Sequence, residues 1–375
     1  MSKFIKKEVN DLSISLIRQF NEKAKQVNDV IKLTLGELDL DTFPHIKEAM
    51  ILATNKNQTR YTANAGILSL RKKIASLYPH YTEDNIILTV GTTEGLAIVI
   101  KSILEEGDEV IIPSPGYVGY EPLISLEKAK AINLDLTLTH FKITRAALDN
   151  IYSPRCKAII ITNPNNPTGK VLDLVEMETI VSFVKDNDLF LIVDEIYSQI
   201  DFTGRFQSFS QFTSLKQQMV ILNGFSKSHA MTGLRIGYLL SDVSLTSAFL
   251  KVHQYTVSST SSISQYAALA ANINDTISIT ETLRKRKDFL CRAFDQMNID
   301  YVTPEGAFYL FVNIQRFGLS SMTFCERLLT EARVAVIPGE AFFGSPKNYI
   351  RLSYAASMDE LKEAIHRIQA FIQSL

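Results

Sequence analysis

Seven short apolar runs alternate with stretches of helical periodicity, and this alternation constrains the fold of the 375-residue chain more than any other feature. Most of the runs are continuously apolar and rich in β-branched residues, which is typical of strands that helices cover on both faces. They lie at residues 85–90, 109–113, 130–134, 158–162, 189–194, 220–223 and 235–240. Strands that alternate with helices predict an α/β fold with a mostly parallel, seven-stranded sheet between helices.

The sequence changes in character after about residue 276. A charged helical stretch at 281–297 precedes a segment, 300–312, that alternates around Pro304, and a terminal helix is predicted at 358–373. Two further strands are predicted between them, at 334–337 and 349–354. This pattern indicates a smaller α+β domain. We therefore predict an N-terminal arm (1–45) that belongs to the small domain, a large domain (46–275) and a small C-terminal domain (276–375).

Charge and cysteine content exclude several classes of protein. The net charge is −1 and no basic block occurs, so we expect no nucleic-acid partner. The three cysteines are isolated, which favours a reducing compartment and argues against a structural zinc, and the histidines lack metal-binding spacing. The charged start at residues 1–7 is not followed by an apolar core of signal-peptide length, and no apolar run reaches the ~18 residues of a membrane span. The expectation is a cytoplasmic protein without a metal or membrane partner.

Lys227 is the residue that most directly indicates chemistry. It follows the apolar run 219–222 and precedes Arg235 by eight positions, which would be two turns if the segment were helical. Lysine forms Schiff bases with aldehydes such as pyridoxal phosphate. Arginine binds phosphate with two parallel hydrogen bonds. The pair therefore predicts a site for an aldehyde cofactor that carries a phosphate.

Other polar residues follow predicted strands. Thr92 and Thr93 lie between a strand and a helix, where backbone N–H groups bind anions, although a threonine there can also serve as an N-cap. Asp194 ends a very apolar strand, and a buried carboxylate requires a partner, such as a protonated pyridine nitrogen. Tyr197, three residues later, would reach the same ring. The turn at 163–169 contains two prolines and is rigid in any interpretation.

Nine motifs, in this order and over nearly the whole chain, resemble the class I/II aminotransferases, which are pyridoxal-phosphate enzymes of fold type I. The motifs are Gly36-Glu37, Tyr61, Gly91-Thr92-Thr93, Tyr117, Asn165-Asn166-Pro167-Thr168-Gly169, Asp194-Glu195-Ile196-Tyr197, Ser226-Lys227, Arg235 and Arg351-Leu352-Ser353-Tyr354. The resemblance implies an aspartate-aminotransferase-like fold. It also implies an enzyme that moves an amino group between an L-amino acid and a 2-oxo acid.

At the cofactor ring, the resemblance implies a role for five residues. Lys227 is expected to form the Schiff base and to act as general acid and base, and Asp194 to keep the pyridine nitrogen protonated. Asn166 and Tyr197 are expected to hydrogen-bond the phenolic oxygen of the cofactor. Tyr117 is expected to stack on the face of the ring.

At the phosphate, the resemblance implies contacts from Arg235, Ser226 and the backbone of Thr92 and Thr93. Tyr61 resembles the tyrosine that reaches the phosphate of the neighbouring subunit. A homodimer with shared active sites is therefore expected.

At the substrate, Arg351 is expected to pair with the α-carboxylate, assisted by Asn166 and the backbone of Gly36. Glutamate and 2-oxoglutarate are the amino donor pair that the family resemblance implies. A pyridoxal-phosphate-dependent C–S β-lyase is an alternative, since such enzymes share the lysine, aspartate and tyrosines. A ligand sensor with this fold is disfavoured because the N-terminal arm is too short to form a DNA-binding domain.

The identity of the substrate depends on weaker signals. Segments 251–255 and 261–265 resemble bacterial aminotransferases that act on N-acetyl-diaminopimelate, while aromatic amino acids and aspartate remain open. A serine-rich turn that packs against a helix would explain the same segments. Arg18 could bind a distal carboxylate, and an exposed helix arginine is the alternative.

Overall fold

A computed structural model describes residues 3–375. In chain order the helices are α1 (Lys7–Asp11), α2 (Leu16–Lys25), α3 (Pro44–Asn55), α4 (Leu68–Ala75), α5 (Gly91–Ile103), α6 (Tyr120–Leu126), α7 (Arg145–Ile151), α8 (Leu174–Asp186), α9 (Val243–Thr256), α10 (Ser262–Ala270), α11 (Ile273–Gln296), α12 (Ser321–Ala332) and α13 (Met358–Gln373). The strands are β1 (Ile31–Lys32), β2 (Ile86–Thr89), β3 (Glu109–Ser114), β4 (Lys130–Asp135), β5 (Cys156–Thr162), β6 (Phe190–Asp194), β7 (Met219–Gly224), β8 (Gly237–Ser241), β9 (Tyr301–Val302), β10 (Tyr309–Asn313), β11 (Val334–Ala335), β12 (Ile337–Pro338) and β13 (Tyr349–Ser353).

The predicted seven-stranded sheet is confirmed. Its order is β2-β8-β7-β6-β5-β3-β4, and β8 runs antiparallel to both of its neighbours while the other pairs are parallel. The seventh strand begins at Gly237, two residues later than predicted. Arg235 adopts left-handed backbone angles (φ 50°) after a 3-10 turn, and this conformation is incompatible with an extended strand.

Both faces of the sheet are buried, which explains why its strands are continuously apolar. Along β5, Ile159 and Ile161 point into one apolar cluster and Ile160 points into another on the opposite face. The same division separates Leu191 from Ile192 on β6. Side chains alternate between the faces of a strand, so a sheet covered by helices on both sides requires apolar residues at every position.

The C-terminal elements form a second layer with the N-terminal segment. An antiparallel sheet, β12-β13-β10-β9, packs with α11, α12 and α13, and β1 pairs in parallel with β11. Phe20 and Leu33 lie in the same apolar cluster as Phe311 and Leu352. Residues 1 and 2 of the predicted arm lie outside the described residues, and the domain limits remain a prediction.

Helix α11 begins eight residues before the start predicted at residue 281. Asn272 caps it, in a reciprocal capping box with Asp275, so its polar first turn is stabilised. The predicted domain boundary after residue 275 falls inside this first turn. Within residues 3–375, no helix combines the length and apolar character needed to cross a bilayer.

The topology brings several strand ends to one edge of the large sheet. β5, β6 and β7 are parallel, so the residues that follow them lie side by side. Asp194 is the last residue of β6, and Lys227 follows β7 by three residues. Ligands bind at the carboxyl edge of open α/β sheets, and the predicted site residues lie there.

Candidate active site

A cavity of about 240 Å³ opens at this edge of the sheet. Every residue predicted for the cofactor or the substrate lines it, with two exceptions: Tyr61, which is 88% exposed, and Arg18, which is exposed on α2. Tyr120 and Tyr309 also line the cavity, and the sequence did not indicate either. Ile17 of α2 forms part of the wall, so the N-terminal segment contributes to the site.

Lys227 is partly buried in the cavity, and its Nζ donates a hydrogen bond to the carbonyl oxygen of Gly36 at 2.5 Å. Burial lowers the pKa of this amine to about 8, while Glu37 opposes the shift. Residues 226–228 form a turn and residues 229–230 a bend, and a short 3-10 helix follows at Thr232–Leu234, so the hypothesis of two helical turns between Lys227 and Arg235 is wrong. The left-handed residue Arg235 redirects the chain there, and its guanidinium still points into the cavity.

Asp194 is a buried carboxylate at the base of the cavity. Its Oδ2 accepts a hydrogen bond from the hydroxyl of Tyr120 at 2.9 Å, and its Oδ1 accepts one from the backbone N–H of Ile196 at 3.1 Å. Burial raises the pKa of Asp194, and these two donors and the charge of Lys227 oppose that shift. Asp194 forms no ion pair within residues 3–375, so it can accept a cationic ligand group.

Arg351, on β13, is 2% exposed and has no acidic partner within residues 3–375. Its Nη1 donates to Oδ1 of Asn166 at 3.0 Å, and its Nη2 donates to the carbonyl of Thr34 at 2.6 Å. The guanidinium lies over the ring of Tyr309 at 4.3 Å. Its Nε is buried and has no hydrogen-bond partner among residues 3–375. Burial lowers the pKa of Arg351. Such a group can bind an anion that brings its own acceptors.

Two tyrosine hydroxyls contact each other in the cavity. Tyr197 and Tyr309 are 2.7 Å apart at their hydroxyls, and both are buried. Gly36 lies against the hydroxyl of Tyr309, and a side chain at that position would collide with it. Tyr117 packs edge-on against Tyr120, with 5.3 Å between ring centroids. Because Tyr309 occupies an apolar strand, its sequence context indicated only a core residue.

The start of α5 lines another part of the cavity, through Thr92 and Thr93. The helix begins at Gly91 (φ 69°), and no side chain caps it. Thr92 and Thr93 lie in its first turn, so the alternative in which a threonine is the N-cap is wrong. A Cβ atom on Gly91 would collide with the Arg235 guanidinium, and one on Gly237 would lie 2.8 Å from the backbone nitrogen of Thr92. The two glycines allow a guanidinium and free N–H groups to face the same anion.

The chain matches the family model for aminotransferase class I and II over residues 28–368. This protein belongs to the class I and II aminotransferases. Enzymes of this family transfer amino groups and depend on pyridoxal phosphate, so the predicted enzyme class and cofactor are confirmed. The aspartate-aminotransferase-like fold is confirmed as well.

Relatives with different named substrates align with this aminotransferase over almost its whole length. A "probable N-acetyl-LL-diaminopimelate aminotransferase" of Bacillus subtilis is 39% identical and covers 99% of this chain and 96% of its own. An "aromatic-amino-acid aminotransferase 2" of Thermococcus litoralis is 33% identical over 96% of each. The crystal structure of an aspartate aminotransferase from Thermotoga maritima superposes with a TM-score of 0.92 at 34% identity, covering 98% of this chain and 100% of the other. None of these names supports the C–S β-lyase alternative.

The residues present in the aminotransferase fit the cofactor of its family. Pyridoxal phosphate carries a ring nitrogen that can be cationic, an aldehyde and a phosphate. The cavity offers a buried carboxylate without an ion pair, an amine with a lowered pKa, and a helix start beside a guanidinium. The three groups therefore match in charge and chemistry.

Proposed function

We propose that this aminotransferase performs its reaction with Lys227, Asp194 and Arg351 as the three central residues. One observation supports the assignment above all others. An amine with a lowered pKa lines one cavity with a buried carboxylate and a buried guanidinium, and neither of these two charges has an ion-pair partner among residues 3–375. A ligand with a cationic group and a carboxylate would supply the missing partners of Asp194 and Arg351. A purely structural site would have paired them with each other.

The residues at the cofactor end bind and orient the ring. When bound, pyridoxal phosphate withdraws the electron pair left on the substrate α-carbon. Asp194 balances the positive charge of the ring nitrogen, and Tyr120 and Ile196 keep Asp194 charged. The amine of Lys227 carries the cofactor and later holds and moves the proton at the substrate α-carbon. Because its pKa is about 8, an appreciable neutral fraction is present near neutral pH.

Other residues fix the position of the cofactor. Tyr197 and Asn166 would donate hydrogen bonds to its phenolic oxygen, and Tyr117 would stack on the ring. The phosphate would bind the N–H groups of Thr92 and Thr93. Arg235 and Ser226 would complete the phosphate contacts.

Arg351 is proposed to bind the α-carboxylate of the substrate. Asn166 and the carbonyl of Thr34 already orient its two Nη atoms, and the ring of Tyr309 supports its face. The rigid guanidinium then holds the α-carbon within reach of Lys227. Gly36 lies beside both groups, and its carbonyl accepts the lysine hydrogen bond.

For the substrates, we propose that glutamate and 2-oxoglutarate form one pair, and that the second amino acid carries a distal carboxylate or an aromatic group. The named substrates of the relatives support this range, including N-acetyl-LL-diaminopimelate and aspartate. Arg18 is exposed; burial raises the pKa of Tyr117, a cavity residue, and the charge of Arg18 opposes that shift. It also has no hydrogen bond or ion pair within residues 3–375. A distal carboxylate would give it a partner.

We further propose a homodimer in which Tyr61 reaches the partner's phosphate site. Tyr61 is 88% exposed although it belongs to a motif of the cofactor site, and Tyr255 is equally exposed. Exposed apolar residues on α3, such as Ile51 and Leu52, offer a surface for association. The location in the cytoplasm that the cysteines predict stays a prediction.

A screen of half-reactions tests the proposal. The protein loaded with pyridoxal phosphate is mixed with one amino acid at a time, and the 2-oxo acid is quantified by mass spectrometry. We expect glutamate to yield one equivalent of 2-oxoglutarate per site, and Arg351→Met to abolish the yield while the cofactor stays bound. Release of pyruvate and sulfide from cysteine, without any 2-oxo acid from glutamate, would refute the proposal in favour of a lyase.

A further inference from the structure

Two titratable side chains that the proposed reaction does not use form a pair in the interior, next to the phosphate end of the cavity. Glu94 lies in the first turn of α5, and its Oε1 is 2.9 Å from Nδ1 of His253 on α9. The second carboxylate oxygen, Oε2, accepts the backbone N–H of Val90 at 2.5 Å. His253 is completely buried, and the side chain of Glu94 is 10% exposed.

The environment of His253 gives the ring a single polar partner. Within residues 3–375 its Nε2 has no hydrogen-bond partner, so Glu94 is the one residue that the imidazole binds there. Helix α9 packs on α5 and on the sheet, and its Phe249 belongs to the apolar cluster on that face. An apolar side chain would fill such a position without a buried unpaired nitrogen. The histidine is therefore explained by its contact with Glu94 and not by packing.

Glu94 in turn acts on the backbone that leads into the helix. Val90 is not helical (φ −75°, ψ 71°), and Gly91 adopts a left-handed conformation (φ 69°). The carboxylate of Glu94 closes this turn by holding the N–H of Val90. The direction of the following N–H groups, on Thr92 and Thr93, depends on the same turn. An ionised carboxylate only accepts hydrogen bonds, so Nδ1 of His253 carries the proton and fixes the other oxygen.

We propose that Glu94 and His253 are positioning residues that hold the backbone at residues 90–93 in the conformation that binds the cofactor phosphate. The hydrogen bond between the two residues also reduces an electrostatic repulsion. A carboxylate in the first turn is favourable for the helix but repels a phosphate bound at the same helix start. The hydrogen bond from Nδ1 of His253 to Oε1 of Glu94 draws the negative charge of the carboxylate away from that phosphate. The inference rests on the proposed function, because it assumes that the phosphate binds at Thr92 and Thr93.

Comparing the binding of pyridoxal 5′-phosphate with that of pyridoxal, which lacks the phosphate, distinguishes a role of the pair in phosphate binding from a general structural role. Full-length protein freed of cofactor is titrated with pyridoxal 5′-phosphate or with pyridoxal, and dissociation constants are measured from the absorbance of the bound ligand. We expect Glu94→Ala to weaken binding of the phosphate form roughly tenfold, equivalent to about 1.4 kcal/mol. The affinity for pyridoxal should not change.

Further variants define which hydrogen bond matters. Glu94→Gln can still accept the N–H of Val90, so we expect it to retain most of the affinity that Glu94→Ala loses. His253→Leu should show the same phosphate-selective loss, to a smaller extent. Lys101→Ala is the matched control, because Lys101 is exposed at the other end of α5. Lys101→Ala should keep the parent's affinity for both ligands and, with saturating cofactor, its kcat.

Several outcomes would overturn the inference. An equal loss of affinity for both ligands in Glu94→Ala and His253→Leu would mean that the pair supports only the overall structure. Unchanged binding of the phosphate form in both variants would exclude any role for the pair. If the parent protein bound both ligands equally, the proposed phosphate site itself would be wrong, which is a separate failure from that of the Glu94 and His253 pair.

Discussion

Replacing Tyr120 by phenylalanine removes one of the two hydrogen bonds that stabilise the charge of Asp194. The hydroxyl is 2.9 Å from Oδ2 of Asp194 and 2.7 Å from the hydroxyl of Thr162, and the tyrosine is 1% exposed. A hydrogen bond to a charged group contributes about 1.5–3 kcal/mol. In the variant only the backbone N–H of Ile196 would remain. If the full amount is lost in the transition state, kcat/KM falls roughly tenfold to a hundredfold.

The dependence on pH gives the same variant a second signature. The donor favours the charged carboxylate, so its removal raises the pKa of Asp194 beyond the rise that burial already causes. Under the proposed function, activity requires the charged form and is lost as pH falls through that pKa. The acidic limb of the kcat/KM profile of Tyr120→Phe should therefore move to higher pH.

A matched control separates this effect from the loss of a buried hydroxyl in general. Tyr78 is also buried, and its hydroxyl bonds Tyr238 at 2.8 Å and Asn223 at 3.2 Å without touching Asp194. Tyr78→Phe should reduce stability but leave the acidic limb in place. Steady-state kinetics with glutamate over a range of pH provides the comparison. The reasoning fails if the two variants have the same profile.

Three further predictions follow from the ionisable groups. Burial raises the pKa of Glu195 from 4.5 to about 7, so the folded state binds this proton more tightly and loses stability as pH rises between those values. Urea unfolding of Glu195→Gln without cofactor should lack this loss, a difference on the order of 3 kcal/mol above neutral pH, and an unchanged pH slope would contradict it. Attachment of cofactor to Lys227 should accelerate as pH rises through about 8, because the neutral amine reacts, whereas a pH-independent rate argues against a buried amine. Arg18→Ala should lower kcat/KM a few-fold for substrates with a distal carboxylate, as expected for an exposed charge, and should spare aromatic ones; equal effects on both would remove the role of Arg18.

The sequence was sufficient to predict the large sheet and the residues at its carboxyl edge. Strands such as β5 and β6 are buried on both faces, so their apolar content is local and visible without the structure. Asp194 could be identified because a carboxylate at the end of such an apolar strand has no local explanation. The family resemblance then supplied expected roles for residues far apart in the chain, such as Arg351.

The residues that sequence analysis missed act through contacts between distant segments. Tyr120 lies 74 residues from Asp194, and Tyr309 lies 112 residues from Tyr197, so neither contact leaves a local pattern. Backbone conformation was also hidden. Residues 227–235 contain no proline, and the left-handed conformations of Ala230 and Arg235 that interrupt helical structure occur at residue types that do not predict them. Residues whose role is to hold another side chain in place can therefore be identified only from the three-dimensional structure.

Asp194 and Arg351 show why the site conflicts with the stability of the ligand-free protein. Both are buried and opposite in charge, yet Tyr120 holds one while Asn166 and Thr34 hold the other, and they form no ion pair with each other. Their separation keeps each charge free for a ligand group, and it leaves the desolvation cost of both in the folded state. A ligand that supplies the opposite charges binds the folded state alone and stabilises it by mass action. The hydrogen bonds that hold the two charges apart would thus determine where the ring and the carboxylate bind, and a variant that paired the two charges would gain stability only by losing the site.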